Sequence, residues 1–322
     1  RLDLRRAARG AVLALALAGA CALVFVHVRK DPEVISVRAL MRAEETLELV
    51  RGAKDDAQAK QVQLWERVEE QATAALANLP RSFRARELRA IARATLVRVP
   101  QAIEDCDVLV TETEAAEAEV KRAEAENGEP ADAEFKAALA EEVERARSLR
   151  GTIQLEFGNF TAARADFETL VKRAPKNGDS RKQLGHALLG LSEWAAAERA
   201  LEGAQRADEP ADVDVELWIA RQMTGQRENA DEELRKYSFS AREQSADAQK
   251  QFLVSVALGE EGERRGASSE ELAQRVGVLR ALRRVQTGSF DEARREAQQV
   301  VAKDKRTWEA AVANAIVVQL KR

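Results

Sequence analysis

Apolar residues recur at spacings of three and four along most of this chain, which is the periodicity of amphipathic α-helices. The stripe Leu40, Ala43, Leu47 and Val50 predicts a helix that begins after the capping residue Asp31. Further helices are expected over residues 58–79, 82–99, 101–126, 131–157 and 306–320, because prolines and turn-forming residues separate these stretches. The pattern therefore predicts an all-α protein.

Two of these helices are longer than the rest and flank a turn sequence. Residues 101–126 and 131–157 lie on either side of Asn127-Gly128-Glu129-Pro130, which predicts a long hairpin. Its first arm is rich in glutamate. One interpretation is an acidic arm that docks a partner. The interpretation we favour is a solvated face that also neutralises the arginines of the preceding helix, Arg86, Arg89 and Arg93.

Residues of matching type recur 34 positions apart in the middle of the chain. The pairs are Gly151 and Gly185, Phe160 and Trp194, Ala163 and Ala197, and Phe167 and Leu201. Such a period is typical of stacked helical hairpins, since one hairpin cannot bury its own apolar stripe. Fainter copies follow at Gly225, Ala230 and Leu234 and at Gly288, Phe290 and Ala293, with a weaker hairpin expected over residues 245–258.

The segments LRGTIQLEFGNFTAARADFETLVKRAP and LGHALLGLSEWAAAERALEGA resemble the tetratricopeptide repeat (TPR). That repeat is similar in carrying a small residue in its first helix, a Gly-x-aromatic turn and an alanine in its second helix. The second copy has Ser192 at the turn glycine, and the third has Trp218 and Arg227 at the small and aromatic positions. The resemblance implies a TPR-like α-solenoid over residues 144–322, preceded by degenerate hairpins over residues 31–143.

Solenoids of this type present an extended surface suited to binding another protein. Repeat phase predicts that ten residues line the partner groove: Arg145, Thr152, Leu155, Glu156, Lys182, His186, Leu189, Ile219, Gln222 and Met223. His186 is expected to be partly exposed there. Some TPR domains clamp a peptide carboxylate with lysine and asparagine side chains. At the corresponding positions only Lys182 suits that role, so no such clamp is expected. Trp65, Trp218 and Trp308 are expected in hairpin cores.

An apolar segment near the start predicts a membrane anchor. Residues 10–28 carry no formal charge, and about 20 apolar residues cross a bilayer core. The arginines before it predict that residues 1–9 form a short basic cytoplasmic tail, with the later residues on the other side. A cleaved signal and a lipoprotein anchored at Cys21 are alternatives, but the apolar run continues past Cys21, so the uncleaved helix is favoured.

Composition narrows the function further. The net charge of −4 provides no basic field for nucleic acid. With 2 histidines and 2 cysteines in the chain, no metal site or activated nucleophile assembles, and Cys106 is expected to be a buried inert thiol. We therefore expect no enzyme activity, no cofactor, no metal and no small-molecule substrate.

Taken together, these features predict a single-pass protein of a bacterial inner membrane with its solenoid in the periplasm. The bias toward arginine and alanine suggests a bacterial source with a GC-rich genome. The expected role is a scaffold or adaptor that binds protein partners and supports the assembly of a cell-envelope complex. One alternative is an integral structural subunit of a large membrane complex without transient clients. Another is an enzyme whose site the sequence does not reveal.

Overall fold

The structure is a computed structural model that describes residues 31–52, 58–127, 130–244, 248–259 and 270–320. Over these ranges it contains fourteen α-helices and no strand, so the predicted all-α class is confirmed. The segment 10–28, the tail 1–9 and Cys21 lie outside the described residues. None of the helices that the structure does describe combines the length and hydropathy of a membrane span.

The chain divides into two compact units between Pro130 and Ala131. The boundary expected at residues 143 and 144 falls inside a helix. In the described part of the first unit, four helices pack each against the next. They are α1 (Pro32–Gly52), α2 (Gln58–Asn78), α3 (Phe83–Thr95) and α4 (Val99–Asn127).

Local signals place the helix ends of the first unit. Asp31 accepts a bond from the backbone N–H of Glu33, and the helix begins at Pro32, as predicted. Ser82 caps α3 by accepting from the N–H of Ala85. The core is formed by small and branched residues, Ala43, Leu47, Val68, Ala72, Leu88 and Ala92, with Trp65 half-buried against them. The prediction that Cys106 is buried is confirmed.

The second unit contains ten helices over its described ranges. They are α5 (Ala133–Glu156), α6 (Phe160–Arg173), α7 (Gly178–Gly190), α8 (Trp194–Gln205), α9 (Asp214–Thr224), α10 (Arg227–Gln244), α11 (Ala248–Leu258), α12 (Glu270–Gln286), α13 (Phe290–Lys303) and α14 (Trp308–Gln319). Consecutive helices pack together from α5 to α14. The weaker hairpin expected over residues 245–258 is wrong, because α11 is a single helix there.

Small residues of the 34-residue pattern lie where two helices cross. A methyl group on Gly151 would lie 2.9 Å from the ring of Phe167. A methyl group on Gly185 would lie 2.5 Å from a methyl group of Leu201. Both distances are shorter than van der Waals contact, so only glycine permits these crossings.

The aromatic positions fill the gaps between successive hairpins. The Phe160 ring, at the start of α6, lies against Gly190 at the end of α7. It contacts both the small core cluster of the first repeat and the large cluster that follows. Trp194 packs against the same large cluster. Phe160 therefore lies between successive hairpins, at the aromatic position of the repeat. Trp218 is fully buried and donates a bond from its indole N–H to Asp231 at 2.8 Å, so its predicted core position is confirmed.

Each hairpin turn of the pattern has one residue with positive φ. These turn residues are Gly158 (φ 78°), Ser192 (φ 62°), Gly225 (φ 89°) and Gly288 (φ 79°). The same position between α3 and α4 in the first unit is Val97, with φ 60°. A β-branched residue is strained in this left-handed region, so the turn there is set by the surrounding hairpin rather than by Val97 itself.

The α3–α4 hairpin follows the repeat register in its buried residues as well. Ala90, Ala102 and Cys106 are fully buried at the positions that Gly151, Ala163 and Phe167 occupy in the second unit. The carboxylate of Asp105 is buried and accepts bonds from Arg89 and Arg93. The stretch that the sequence indicated only as degenerate therefore contains a repeat of the same construction.

The carboxylate of Asp166 shows the same arrangement in the second unit. It is buried and accepts bonds from Arg147 and Arg150. Arg89 and Asp105, like Arg150 and Asp166, are 16 residues apart. Arg86 pairs with Glu112 across the α3–α4 hairpin. The expected neutralisation of this arginine-rich helix is thus confirmed.

Candidate functional site at the junction of α7 and α14

The last helix packs back onto an early repeat instead of capping the end of a row. α14 contacts α12 and α13, as its place in the sequence requires, and it also contacts α7. The connection before α14 lies against the turn of the first repeat, because a methyl group on Gly158 would lie 2.8 Å from the carbonyl oxygen of Arg306. The guanidinium of Arg306 lies 5.5 Å from the centre of the Phe157 ring. Thr307 caps α14 by accepting from the N–H of Ala310.

His186 of α7 lies at the centre of this junction. Its ring stacks on Trp308 of α14, with ring centres 5.2 Å apart and an interplanar angle of 14°. On the side of α9, the Nε2 atom lies 3.6 Å from a carboxylate oxygen of Glu216. The side chain of His186 is therefore buried between three helices, in contrast to the partly exposed position expected from repeat phase.

Arg275 of α12 joins the carboxylates on either side of it. Its guanidinium lies 3.3 Å from Glu216 of α9 and 3.4 Å from Glu309 of α14. It also lies 5.5 Å from the centre of the Trp308 ring, which is the geometry of a cation–π contact. One cation thus links three helices of the junction through charge-assisted contacts.

The charges of the cluster follow from burial and from these neighbours. Burial opposes ionisation of Glu216, but the neighbouring His186 and the charges of Arg275 and Lys182 lower the pKa of its carboxyl to about 2. Burial lowers the pKa of His186 below its ordinary value, and this effect exceeds the opposing attraction of Glu216. At pH 7 the carboxylate is ionised and the imidazole is neutral.

A cavity of about 540 Å³ opens between the junction helices. It is lined by residues of α5, α7, α12 and α14 and of the connection before α14: Thr152, Leu155, Glu156, Lys182, Gln183, His186, Arg275, Thr307, Trp308 and Glu309. Its walls are mixed, with an indole and a leucine beside charged and hydroxyl groups. Such a mixture is typical of a surface that orients a partner side chain by a few polar contacts.

Half of the predicted groove residues meet at this cavity. Thr152, Leu155, Glu156, Lys182 and His186 all line it. Arg145 lies elsewhere on the exposed face of α5, where it pairs with Glu141 and Glu142.

The other predicted residues lie inside the repeat stack. Leu189 and Ile219 are 0% exposed and belong to the large core cluster, and Met223 is half-buried against it. Gln222 is buried and accepts a bond from Gln286 of α12 at 2.7 Å. Repeat phase placed these side chains on an inner surface, but in the part of the chain that the structure describes they pack within the repeat stack. Of the ten predicted groove residues, five line the cavity and Arg145 is exposed elsewhere.

Repeat phase did not predict the other five lining residues, which are Gln183, Arg275, Thr307, Trp308 and Glu309. Four of them lie far along the chain, in α12, in α14 or in the connection between α13 and α14. Lys182 directs its ammonium group to the backbone carbonyl of Asp212 at 2.8 Å. Within the described ranges, no group of three or more histidine, cysteine, aspartate or glutamate residues is placed to hold a metal ion.

A family model and a solved structure are similar to this chain. A family model described as a tetratricopeptide repeat matches residues 122–178, which include α5 and α6. The chain is also similar to the crystal structure of a tetratricopeptide repeat protein from Parabacteroides merdae ATCC 43184, with 12% identity and a TM-score of 0.47 over 87% of this chain and 99% of that one. No curated protein matches the chain. The family match supports the TPR resemblance, and repeats of this family generally mediate protein–protein interactions.

Proposed function

We propose that this protein is a membrane-anchored scaffold or adaptor that binds protein partners and supports the assembly of a cell-envelope complex. The observation that carries the proposal is the cavity between α5, α7 and α14, which is the open part of the inner repeat surface. The family match at residues 122–178 supports it, because α5, which supplies Thr152, Leu155 and Glu156 to the cavity, lies within that range.

The covered groove limits how a partner binds. Leu189 and Ile219 are completely buried in the repeat stack, so a partner helix does not lie along the full inner surface as it would in an open solenoid. A partner instead inserts individual side chains at the cavity and contacts the rim formed by Glu156 and Gln183. Binding of this kind needs no opening of the repeat stack.

We place the protein in a bacterial inner membrane, with residues 1–9 in the cytoplasm and the repeats in the periplasm. The uncharged stretch 10–28 and the arginines before it support this topology. Helix α1 begins at Pro32, two residues after the basic pair Arg29 and Lys30 that follows the apolar stretch. Exposed apolar side chains at Ile35, Val37 and Met41 on α1 are compatible with a position close to lipid headgroups.

Proximity labelling in the native membrane tests the partner-binding role. The labelling enzyme is fused to the full chain, and the neighbours are compared with those of Thr152→Phe, which fills the cavity. Thr161→Phe is the matched control, because Thr161 is exposed on α6 away from the cavity. We expect a set of envelope proteins that Thr152→Phe loses and Thr161→Phe keeps.

Two results would contradict the proposal. Neighbours that are unaffected by Thr152→Phe would remove the cavity as the binding surface. A fixed set of subunits that co-purifies in stoichiometric amounts, with no exchange, would favour the alternative of a permanent structural subunit.

The orientation of the chain in the membrane is tested separately by placing a single cysteine at residue 35, in a chain without Cys21 and Cys106. Reaction of that cysteine only from the cytoplasmic side would refute the periplasmic assignment.

A further inference from the structure

Helix α1 exposes its large apolar side chains and buries mostly small or polar ones. Its buried residues are Ser36, Ala39, Ala43, Thr46 and Leu47. Four large apolar side chains of the same helix are 42% to 59% exposed: Ile35, Val37, Met41 and Leu49. In a surface helix the apolar side chains normally face the core. These four residues, here named the apolar face of α1, are left uncovered by the described part of the chain.

The apolar face occupies one half of the helix surface. At about 3.6 residues per turn, its four members fall within roughly 160° of one another around the axis, opposite the buried residues. Among the described residues, nine large apolar side chains are exposed, and four of the nine belong to α1. Single exposed apolar residues are ordinary, whereas a group of them on one element marks an interaction surface.

Two arginines lie among these apolar side chains. Arg38 and Arg42 are exposed, and neither forms an ion pair within the described ranges. Of the acids on the same half of the helix, Glu48 pairs with Arg51, while Glu45 is exposed. A surface that combines apolar side chains with arginines suits the boundary of a bilayer, because arginine packs its stem on apolar surface and bonds to phosphate with its guanidinium group.

The place of α1 in the chain favours a bilayer over another protein as the occupant of this face. The charge-free stretch 10–28 ends four residues before Pro32, where α1 begins. Four residues of extended chain span at most about 14 Å. If residues 10–28 cross the membrane, the first turn of α1 is therefore held close to the lipid headgroups.

From the uncovered apolar face, the two unpaired arginines and the short connection to residues 10–28, we infer that α1 lies flat on the membrane surface with its apolar face in the lipid. The inference rests on the proposed function, because it requires residues 10–28 to anchor the chain. The apolar side chains contact the upper part of the acyl chains, and Arg38 and Arg42 bond to lipid phosphates. Helix α2, which packs against α1, is thereby kept near the bilayer as well.

A flat helix and an upright helix place Leu49 at different heights. Ile35 and Leu49 are 14 residues apart in the sequence, which is about 21 Å along a helix axis. The headgroup layer on each side of a bilayer is only about 5 to 8 Å thick. An upright α1 would therefore carry Leu49 clear of the lipid, whereas a flat α1 keeps it level with Ile35.

The test measures quenching by lipid headgroups along α1. The full chain without its native cysteines receives Ile35→Cys or Leu49→Cys, is labelled with a bimane dye, and is placed in phosphatidylcholine nanodiscs that contain a headgroup-nitroxide lipid. Glu70→Cys on α2 is the control site. Glu70 is exposed, and the adjacent Gln71 accepts a bond from Thr46 of α1 at 2.9 Å, so the control lies near the same point along α1 as Leu49.

We expect the quenching at residue 49 to be within about twofold of that at residue 35 and at least about threefold stronger than at residue 70. Val37→Asp and Met41→Asp should each reduce the quenching at residue 49 at least twofold, because a carboxylate on this face opposes contact with lipid. Val62→Asp, at an exposed apolar residue of α2, is the matched control and should leave it unchanged. Two variants of the face are used so that one that fails to fold leaves the other to decide.

Each contrary outcome has a distinct meaning. Strong quenching at residue 35 with quenching at residue 49 no greater than at residue 70 overturns the inference and leaves the anchor in place. Cross-linking of Leu49→Cys to a second copy, or to another protein in the native membrane, assigns the face to that protein instead of lipid. A chain that stays in water and does not enter the nanodiscs refutes the anchor, and the inference with it.

Discussion

The close approach of α7 and α8 makes Gly185 the most demanding position of the repeat register. A methyl group there would lie 2.5 Å and 2.7 Å from two side-chain carbons of Leu201, where ordinary contact requires at least about 3.4 Å. Leu201 is completely buried and belongs to the large core cluster, where overpacking is costly. We predict that Gly185→Ala destabilises the second unit by about 2 kcal/mol: an overpacking cost of about 3 kcal/mol, offset by about 1 kcal/mol from the better helix propensity of alanine.

The measurement is urea unfolding of the full chain in mild detergent, followed by tryptophan fluorescence. Trp194, Trp218 and Trp308 lie in the second unit, so they dominate the signal. Gly203→Ala on α8 is the control. Its nearest neighbour is the flexible end of Arg181 at 3.0 Å, so we expect no loss and a gain of up to about 1 kcal/mol.

A double substitution tests the contact itself. Leu201→Ala alone should cost about 3 kcal/mol through the cavity that it leaves. In Gly185→Ala with Leu201→Ala the added methyl group occupies part of that cavity, so the combined loss should be at least 1 kcal/mol smaller than the sum of the two. Strict additivity, or a Gly185→Ala variant as stable as Gly203→Ala, would refute the packing argument.

Three further predictions concern strain, buried ion pairs and pH. Val97→Gly should stabilise the first unit by about 1 kcal/mol in urea unfolding, because it relieves the positive φ of a β-branched residue; a loss would contradict this. Asp166→Ala should cost about 3 kcal/mol, since it leaves Arg147 and Arg150 without their shared carboxylate, and a neutral result would show that the pairs contribute nothing. The pKa of Glu216 is about 2 in the folded protein and 4.5 ordinarily, so its contribution of roughly 3 kcal/mol is present above pH 4.5 and is lost as the pH falls toward 2. Glu216→Gln should flatten the urea midpoint across that range, and an unchanged pH profile would count against the burial of this charge.

Local patterns were enough to predict most helices and the contacts inside each hairpin. The ends of α2, α5 and α14 fall within two residues of the stretches expected from apolar spacing, proline and capping residues. Gly151 packs against Phe167 of its own hairpin, and Phe160 packs against Gly190 of the next hairpin. The residue types at those positions are therefore set by contacts close in sequence.

The repeat in the first unit was missed because its marker residues are atypical. Val97 stands where the turn glycine is expected and Val99 where the aromatic is expected, so nothing at those positions resembles the pattern. A signal did remain in the sequence. Arginine and aspartate are separated by 16 residues at Arg89 and Asp105, as they are at Arg150 and Asp166. In the first unit, the spacing of the buried arginine–aspartate pair therefore indicates the repeat register better than the residue at the aromatic position does.

The junction of α7 with α14 could not be predicted from any local pattern. It depends on the sum of small rotations between successive hairpins over more than a hundred residues, and no single residue determines that sum. Repeat phase correctly brought Thr152, Lys182 and His186 to one surface. It could not show that Trp308 would cover that surface and bury His186.

The most direct test of this account is the environment of His186 in the full chain. The ring lies 5.2 Å from Trp308 in a stacked arrangement, so its ring-proton signals should be shifted upfield by the indole. The signals are distinguished from those of His27 with a His27→Gln variant and compared with Trp308→Leu. The account predicts an upfield shift that Trp308→Leu removes. Signals at the position of a solvent-exposed histidine, unchanged by Trp308→Leu, would show that α14 does not close over α7 and that the cavity does not exist.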